Sequence, residues 1–297
     1  MSAPSGPIRA KAHVLRGLRA LLNDEGFSEV VTPVARRADL GPGRRVPADL
    51  HDGRYLRAMI GPALRVNVSA DLPRVYEIGP CFRPEPPDAL HAAEFTMLDL
   101  YAAHLGYEDL IDLAWRLVGP HLPAYTPERL SIADHIRDEF GIDLHTEPIG
   151  DLHPRLAARI GVEAVHPFRD VLGRYVTLEL EAGTAGRAVF LTDYPTGGDE
   201  PCARLAPDTT SVLERFELIV DGIELIHGYT DETDLSAFTE RAKAVGLYDD
   251  EQQLAQEAVA AGTVPGDTAG LGIGIERLCA ASAGLRDITP FLQSPQF

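Results

Sequence analysis

The sequence predicts an α+β fold built on an antiparallel sheet, and three observations carry that prediction. Asp221-Gly222 separates two apolar runs, 214–220 and 223–229, and Asp-Gly in that setting is the strongest short hairpin signal. Two further strand-like runs, Arg74–Phe82 and Glu94–Ala103, follow one another across the proline-bearing connection 83–93. Helical patterns lie between the strands without the regular alternation that a parallel sheet requires.

Taken in order, residues 8–23 read as an amphipathic helix carrying Ile8, Ala12, Leu15, Leu18 and Leu22, with Gly26 as its stop signal. A short strand at 27–31 ends at Thr32-Pro33, and the arginine-, glycine- and proline-bearing stretch 36–53 reads as a loop. Residues 107–118 are helical in pattern, with Leu110, Leu113, Ala114 and Leu117 on one side. Residues 120–190 mix short helices and strands and carry no readable motif. Helices are expected at 233–246 and 249–261, and a glycine-rich strand leads into a last helix at 275–283.

Composition bounds the class. The 297 residues are 45% hydrophobic and 24% charged, with 27 Lys+Arg against 45 Asp+Glu and a net charge of −18. Such a charge disfavours a broad phosphate-binding face while leaving room for a local basic cleft. No run approaches the roughly 18 apolar residues of a membrane helix, and residues 1–7 lack the apolar core of a signal peptide. A cytoplasmic globular protein is expected. Three widely spaced cysteines, Cys81, Cys202 and Cys279, form no CxxC pair, which disfavours a disulfide framework or a zinc knuckle. Cys81 reads as a buried structural thiol.

Four constellations bear chemistry. Along Glu94–Ala103, alternation puts Phe95, Met97, Asp99 and Tyr101 on one face and Thr96, Leu98 and Leu100 on the core face. The first face suits a pocket lining, with a solvated face as the plainer alternative. In the hairpin, a two-residue turn pairs Val220 with Ile223 and Ile219 with Glu224, making Glu217 the diagonal neighbour of Glu224. Two carboxylates completed by substrate phosphates are a usual way to hold Mg²⁺, and a solvated acidic face is again the alternative. Gly270, Gly272 and Gly274 leave one strand face bare, which suits the approach of a flat ligand with Arg277 pointing at it from the next helix, and a close-packed strand is the plainer alternative. Arg83 and Phe95, at facing strand ends, are placed to clamp a phosphate and a base.

Arg83-x-Glu85-x5-His91-x3-Phe95 resembles motif 2 of the class II aminoacyl-tRNA synthetases, and Gly270-x-Gly272-x-Gly274-x-Glu276-Arg277 resembles motif 3. Gly26-Phe27 through Pro33 looks like motif 1. The wording is most similar to the lysyl branch, in "RVYEIGPCFRPE", "ERFELIVDGIELIHGY" and "TAGLGIGIERL". The likeness runs from about 8 to 290, and it implies one catalytic domain over 1–297, with motif 1 at about 8–34, motif 2 at about 74–103 and motif 3 at about 268–284.

The resemblance implies an antiparallel sheet flanked by helices, a homodimer, and ATP and Mg²⁺ as substrate and cofactor. It assigns Arg83 to the α-phosphate, Glu85 to the adenine edge, Phe95 and Arg277 to the adenine faces, and His91 with Arg277 to the terminal phosphates. Glu217 and Glu224 match the carboxylates that hold Mg²⁺. Asp99, Tyr101 and Asp231 align with residues that read a side-chain ammonium, with Asp where lysyl enzymes have Glu. Ala63 falls where those enzymes carry a glutamate, His227 replaces an asparagine, and Gly272 keeps the ordinary lysyl glycine. Glu224, His227 and Gly272 complete the expected amino-acid site. These departures cluster on the amino-acid side and imply altered specificity for an amine-bearing substrate.

With the motif 1 helix starting at about residue 8, no N-terminal OB-fold is expected, an arrangement that resembles the stand-alone lysyl paralogue type acting on elongation factor P, although that type has alanine at the position of Gly272. The expectation is an ATP-dependent ligase that forms an aminoacyl-adenylate and passes the aminoacyl group to a protein lysine, a carrier protein or a small amine. Whole tRNA and membrane are not expected partners. A tRNA ligase using the acceptor stem, with Arg36, Arg37, Arg44, Arg45, Arg54 and Arg57 as the clustered basic candidates, is the alternative. An amide synthetase of the asparagine synthetase type and a non-catalytic dimer stand behind it.

Overall fold

The computed structural model describes residues 5–36, 50, 53–84, 86–247 and 256–292. Its centre is an eight-stranded sheet in the order β1-β4-β5-β10-β9-β8-β7-β6. The strands are β1 (Ser28–Glu29), β4 (Arg74–Phe82), β5 (Glu94–Ala103), β6 (Pro127–Ser131), β7 (Ala188–Pro195), β8 (Val212–Val220), β9 (Ile223–Thr230) and β10 (Thr268–Gly274). A separate two-stranded ribbon joins β2 (Ala35–Arg36) to β3 (Tyr55–Leu56). The expected antiparallel pairing holds through the middle of the sheet, whereas both edges, β1 on β4 and β6 on β7, are parallel. Both parallel edges return to the sheet after long connections, which is what parallel pairing needs.

The first helix, α1 (Ser5–Asp24), ends before Gly26 at φ +78°, a left-handed backbone position that glycine adopts freely. Its buried stripe differs from the expected one. Ile8 is 44% exposed, and Lys11, Val14, Leu18 and Leu22 face inward at helical spacing. Lys11 is buried because its Nζ lies 2.6 Å from Glu276 Oε1 and also donates to Thr96 Oγ1. Burying that charge is tolerable only with such a partner.

The main core packs α1 and the helix Tyr107–Val118 against one sheet face, where Leu98, Leu100 and Ala102 of β5 point. The period-two reading of β5 therefore holds. Residues 120–190, which carry no readable motif, build a second core in which the helices Ile132–Phe140, Leu152–Arg159 and Phe168–Tyr175 cover β7. The expected strand at 27–31 contracts to Ser28–Glu29, and the helix expected at 233–246 forms as Leu235–Ala244. Of the helix expected at 249–261, residues 249–255 lie outside the described residues, while 256–260 are helical. No described helix is long and apolar enough to cross a membrane.

The hairpin departs from a simple register. Val220 pairs with Ile223 and Ile219 with Glu224 as expected, but the ladder then shifts so that Leu218 meets Ile226 and Glu217 meets His227. One extra residue on β9 makes a bulge. Leu225 and Ile226 consequently both enter the core, and Glu224 and His227 are both re-aimed away from it.

Candidate active site

Two cavities share the face formed by β5, β10 and β9. Arg83, Met97, His227 and Gly272 line both of them, so they are two ends of one cleft.

The first end, of about 90 Å³, is lined by Phe95, His91, Glu224, Gly274 and Arg277. Phe95 reaches it because β5 alternates, and Arg277 because it occupies the first turn of the helix Ile275–Ser282. The Arg83 guanidinium stands 5.2 Å from the Phe95 ring centroid, a cation–π geometry. Arg277 is held from three sides. Its Nη1 donates to the carbonyl and carboxylate of Glu224, each at 3.1 Å, its Nη2 lies 3.1 Å from His91 Nε2, and its Nε reaches the Leu90 carbonyl. His91 Nδ1 in turn meets Asp88 Oδ1 at 2.8 Å. Backbone N–H bonds and the His91 ring hold the Asp88 carboxyl below its ordinary range. Glu276 also lines this end, but its carboxylate is engaged by the protein itself. It accepts from Thr96 and Lys11, tying the last helix to β5 and to α1.

Glu217 and Glu224 face a third cavity of about 330 Å³ beside this end. Glu217 is buried, accepts from Tyr194 Oη at 2.6 Å and pairs with Arg215 at 2.6 Å. Burial pushes its carboxyl up to about 7 against the pull of Arg215, and Glu224 raises it further. Glu181 lines the same cavity, and burial likewise raises its carboxyl, with Glu224 adding to the effect. Such a cluster gains from a cation. Among the described residues no group of three or more His, Cys, Asp or Glu side chains is arranged to hold a metal. A cation here fits two glutamates completed by oxygens of a substrate.

The other end of the cleft, of about 130 Å³, is enclosed by the short helix Gly61–Arg65, β5, β9, β10 and the segment between β7 and β8. Asp99 Oδ2 accepts the Ile60 and Gly61 N–H groups at 3.0 and 2.9 Å, and burial pushes this carboxyl up. The glycines of β10 make room for these neighbours. A Cβ on Gly270 would stand 2.7 Å from the Tyr101 ring, and one on Gly272 would stand 2.6 Å from Asp99 Oδ1. The bare strand face is thus filled in part by β5 side chains and in part by the cleft. Tyr101 Oη meets Tyr229 Oη at 2.9 Å, and His227 stacks on Tyr229 with centroids 5.7 Å apart.

Several expected residues take other places. Ala63 is not among the residues lining either cavity, because Gly61, Pro62 and Arg65 are the ones its helix turns inward. Asp231 lies beneath the pocket, fully buried, with Oδ2 2.8 Å from Arg65 Nε and bonded by the Thr268 hydroxyl. Burial pushes its carboxyl up to about 6 while Arg65 restrains the rise. Glu85 lies outside the described residues, as do Arg37, Arg44 and Arg45. Arg36 and Arg57 are buried, and Arg57 pairs with Glu77 at 2.7 Å. All three cysteines are free and buried, and burial pushes Cys81 up to about 12, in keeping with a structural thiol.

Sequence reasoning missed Arg65, Tyr194, Asp199, Glu200, Arg215 and Tyr229. Arg215 and Tyr229 had a usable signal, since each lies two residues from Glu217 or His227 on a strand and so shares its face. Asp199 and Glu200 had none, because they sit in an irregular segment.

The family model described as "tRNA synthetases class II (D, K and N)" matches residues 4–296. A lysine--tRNA ligase of Staphylococcus aureus (strain MW2) is 28% identical over 315 residues, covering 95% of this chain and 63% of its own length. Lysine--tRNA ligase 2 of Methanosarcina mazei is 28% identical over 318 residues, covering 96% and 61%. The chain therefore spans a little over three fifths of the curated relatives it matches.

Proposed function

The chain belongs to the class II tRNA synthetases of the D, K and N type, and from that membership we propose that it activates an amine-bearing amino acid with ATP. The single observation that carries this is the shared cleft, in which Arg83 lines both the end that Phe95 and Arg277 flank and the end that Asp99 faces. In the proposed reaction, the amino-acid carboxylate attacks the α-phosphorus of ATP, the bond to the bridging oxygen breaks, and pyrophosphate leaves with that electron pair. The carboxylate is already ionised, so no general base is needed.

Phe95 and Arg277 would stack on the adenine, and His91 with Arg277 would reach the terminal phosphates. Arg83 would hold the α-phosphate where charge develops, which is the largest contribution such a site makes. Glu217 and Glu224 would hold Mg²⁺, which supplies charge neutralisation on the phosphates when bound. Glu85 remains assigned to the adenine edge by resemblance.

For the second step, the acceptor is a protein lysine, a carrier protein or a small amine. The net charge of −18 supports this over tRNA, as does the burial of Arg36 and Arg57, two of the basic candidates for an RNA contact. A cytoplasmic homodimer, as the family resemblance implies, completes the proposal. The test is ATP–pyrophosphate exchange with Mg²⁺ across a panel of single amino acids. Exchange stimulated by one amine-bearing member supports adenylation, and failure of ATP to bind overturns it. Charging of bulk tRNA with a steep salt dependence would replace the acceptor assignment.

A further inference from the structure

Four carboxylates line or underlie the amino-acid end of the cleft, and they differ in what neutralises them. Asp199 has the Arg215 guanidinium at 3.1 Å. Asp231 has Arg65 at 2.8 Å together with the Thr268 hydroxyl, and it is not among the lining residues. Asp99 and Glu200 line the cavity with no lysine or arginine in ion-pair contact among the described residues. Asp99 uses Oδ2 for two backbone N–H groups, while Oδ1 lies over the bare backbone of Gly272. Glu200 has only long contacts, His227 Nε2 and Cys202 Sγ, each at 3.5 Å, although its side chain is just 18% exposed.

We propose that Glu200 is a specificity-determining residue of this pocket, reading one ammonium group of a diamino acid while Asp99 reads the other. Asp231, which resemblance alone would put in that role, serves the fold through Arg65. This inference rests on the adenylation reading above and deepens it. Its logic is charge matching. Two carboxylates that face the pocket with no lysine or arginine in ion-pair contact among the described residues, and only His227 at 3.5 Å from one of them, gain from a ligand that brings cations to them. A diamino acid brings two, and its carboxylate is left for Arg83. A neutral amino acid would satisfy one carboxylate only, and an acidic one would add repulsion.

The sheet puts the two carboxylates on different sides of the pocket. Asp99 stands on β5 and Glu200 approaches over β9, where it meets His227. These strands are separated by β10, whose Gly270 and Gly272 line the cavity between them.

The experiment is calorimetric titration of lysine, ornithine and β-lysine, with norleucine and norvaline as neutral controls. It uses the full chain saturated with a non-hydrolysable ATP analogue and Mg²⁺. The expected result is that one diamino acid binds the unaltered protein and outcompetes its neutral control. Glu200→Gln should weaken that binding about ten- to hundredfold, the loss of one charged hydrogen bond. Affinity for the ATP analogue and the melting temperature should stay unchanged, and Glu200→Asp should recover part of the loss. Undiminished diamino-acid binding in Glu200→Gln overturns the inference, as does neutral-control binding equal to that of every diamino acid. Both of those results leave adenylation standing. Failure of the unaltered protein to bind the ATP analogue overturns adenylation and this inference together.

Discussion

The two ends of the cleft are built by opposite strategies. At the end assigned to ATP, the charged groups are partly open to solvent, with the Arg277 and Glu224 side chains 22% and 39% exposed. Arg83 rests on Phe95, and Arg277 leans on Glu224 and His91. At the end proposed for the amino acid, the charges beneath and behind the pocket are buried and held, while Asp199 and Glu200 stand at its edge. Arg65 and Asp231 are 3% and 0% exposed, and Asp99 caps two backbone N–H groups. The difference teaches where recognition and stability are separated. Loose pairs re-form around incoming phosphates at small cost, as exposed ion pairs contribute little. Buried pairs set the shape of a pocket and tolerate no loss of one partner.

The sharpest way to break this contrast is at the buried pair. Arg65→Ala should destabilise the fold by about 3–5 kcal/mol in urea unfolding, because it strands the Asp231 carboxylate. The double variant Arg65→Met with Asp231→Leu should recover most of that loss, and a double variant as unstable as the single one would contradict a purely electrostatic cause.

At the open end the expected loss is catalytic. Arg83→Ala should lower the exchange rate constant about 10²–10³-fold with an unchanged unfolding midpoint. A parallel drop in stability would erase the distinction between the two ends. Gly272→Ala probes the boundary, since its new Cβ would stand 2.6 Å from Asp99 Oδ1 and 3.0 Å from Met97 Cε. Its amino-acid KM should rise about tenfold, and a matching rise in the ATP KM would show that the ends are not separable there.

The smallest effect is a slope. Asp231 moves from its ordinary 3.8 up to about 6 in the fold. Between those values the folded chain binds more protons than the unfolded chain, so this group lowers stability as pH rises from about 4 to 6. Asp231→Asn should flatten that part of the stability profile, whatever its offset. An unchanged slope would place the titration elsewhere.

Much of the end proposed for ATP was legible in the sequence, because its residues sit at fixed spacings on regular elements. Alternation placed Phe95 and Asp99 on one face of β5, the Asp-Gly turn located the hairpin, and the helix start located Arg277. The amino-acid end was less legible. Ala63 and Asp231 were chosen by resemblance to a pattern of residue types, whereas the pocket turns Gly61, Pro62 and Arg65 inward and holds Asp231 beneath it. The bulge in β9 was also invisible, since Leu225 and Ile226 are equally apolar and nothing local chooses which of them slips.

By itself, the sequence determined the paired strands β4 and β5, the core face of β5, the β8–β9 hairpin turn, the glycine-rich strand β10 and the family. Each follows from short-range periodicity, turn chemistry or a dense motif. Only the tertiary structure decided the partners of charge. Arg65 meets Asp231, Lys11 meets Glu276, and Glu200 meets His227 at 3.5 Å, across separations of 166 and 265 residues for the first two pairs and from an irregular segment for the third. Electrostatic pairing depends on distance in space and on burial, and neither is written in local spacing.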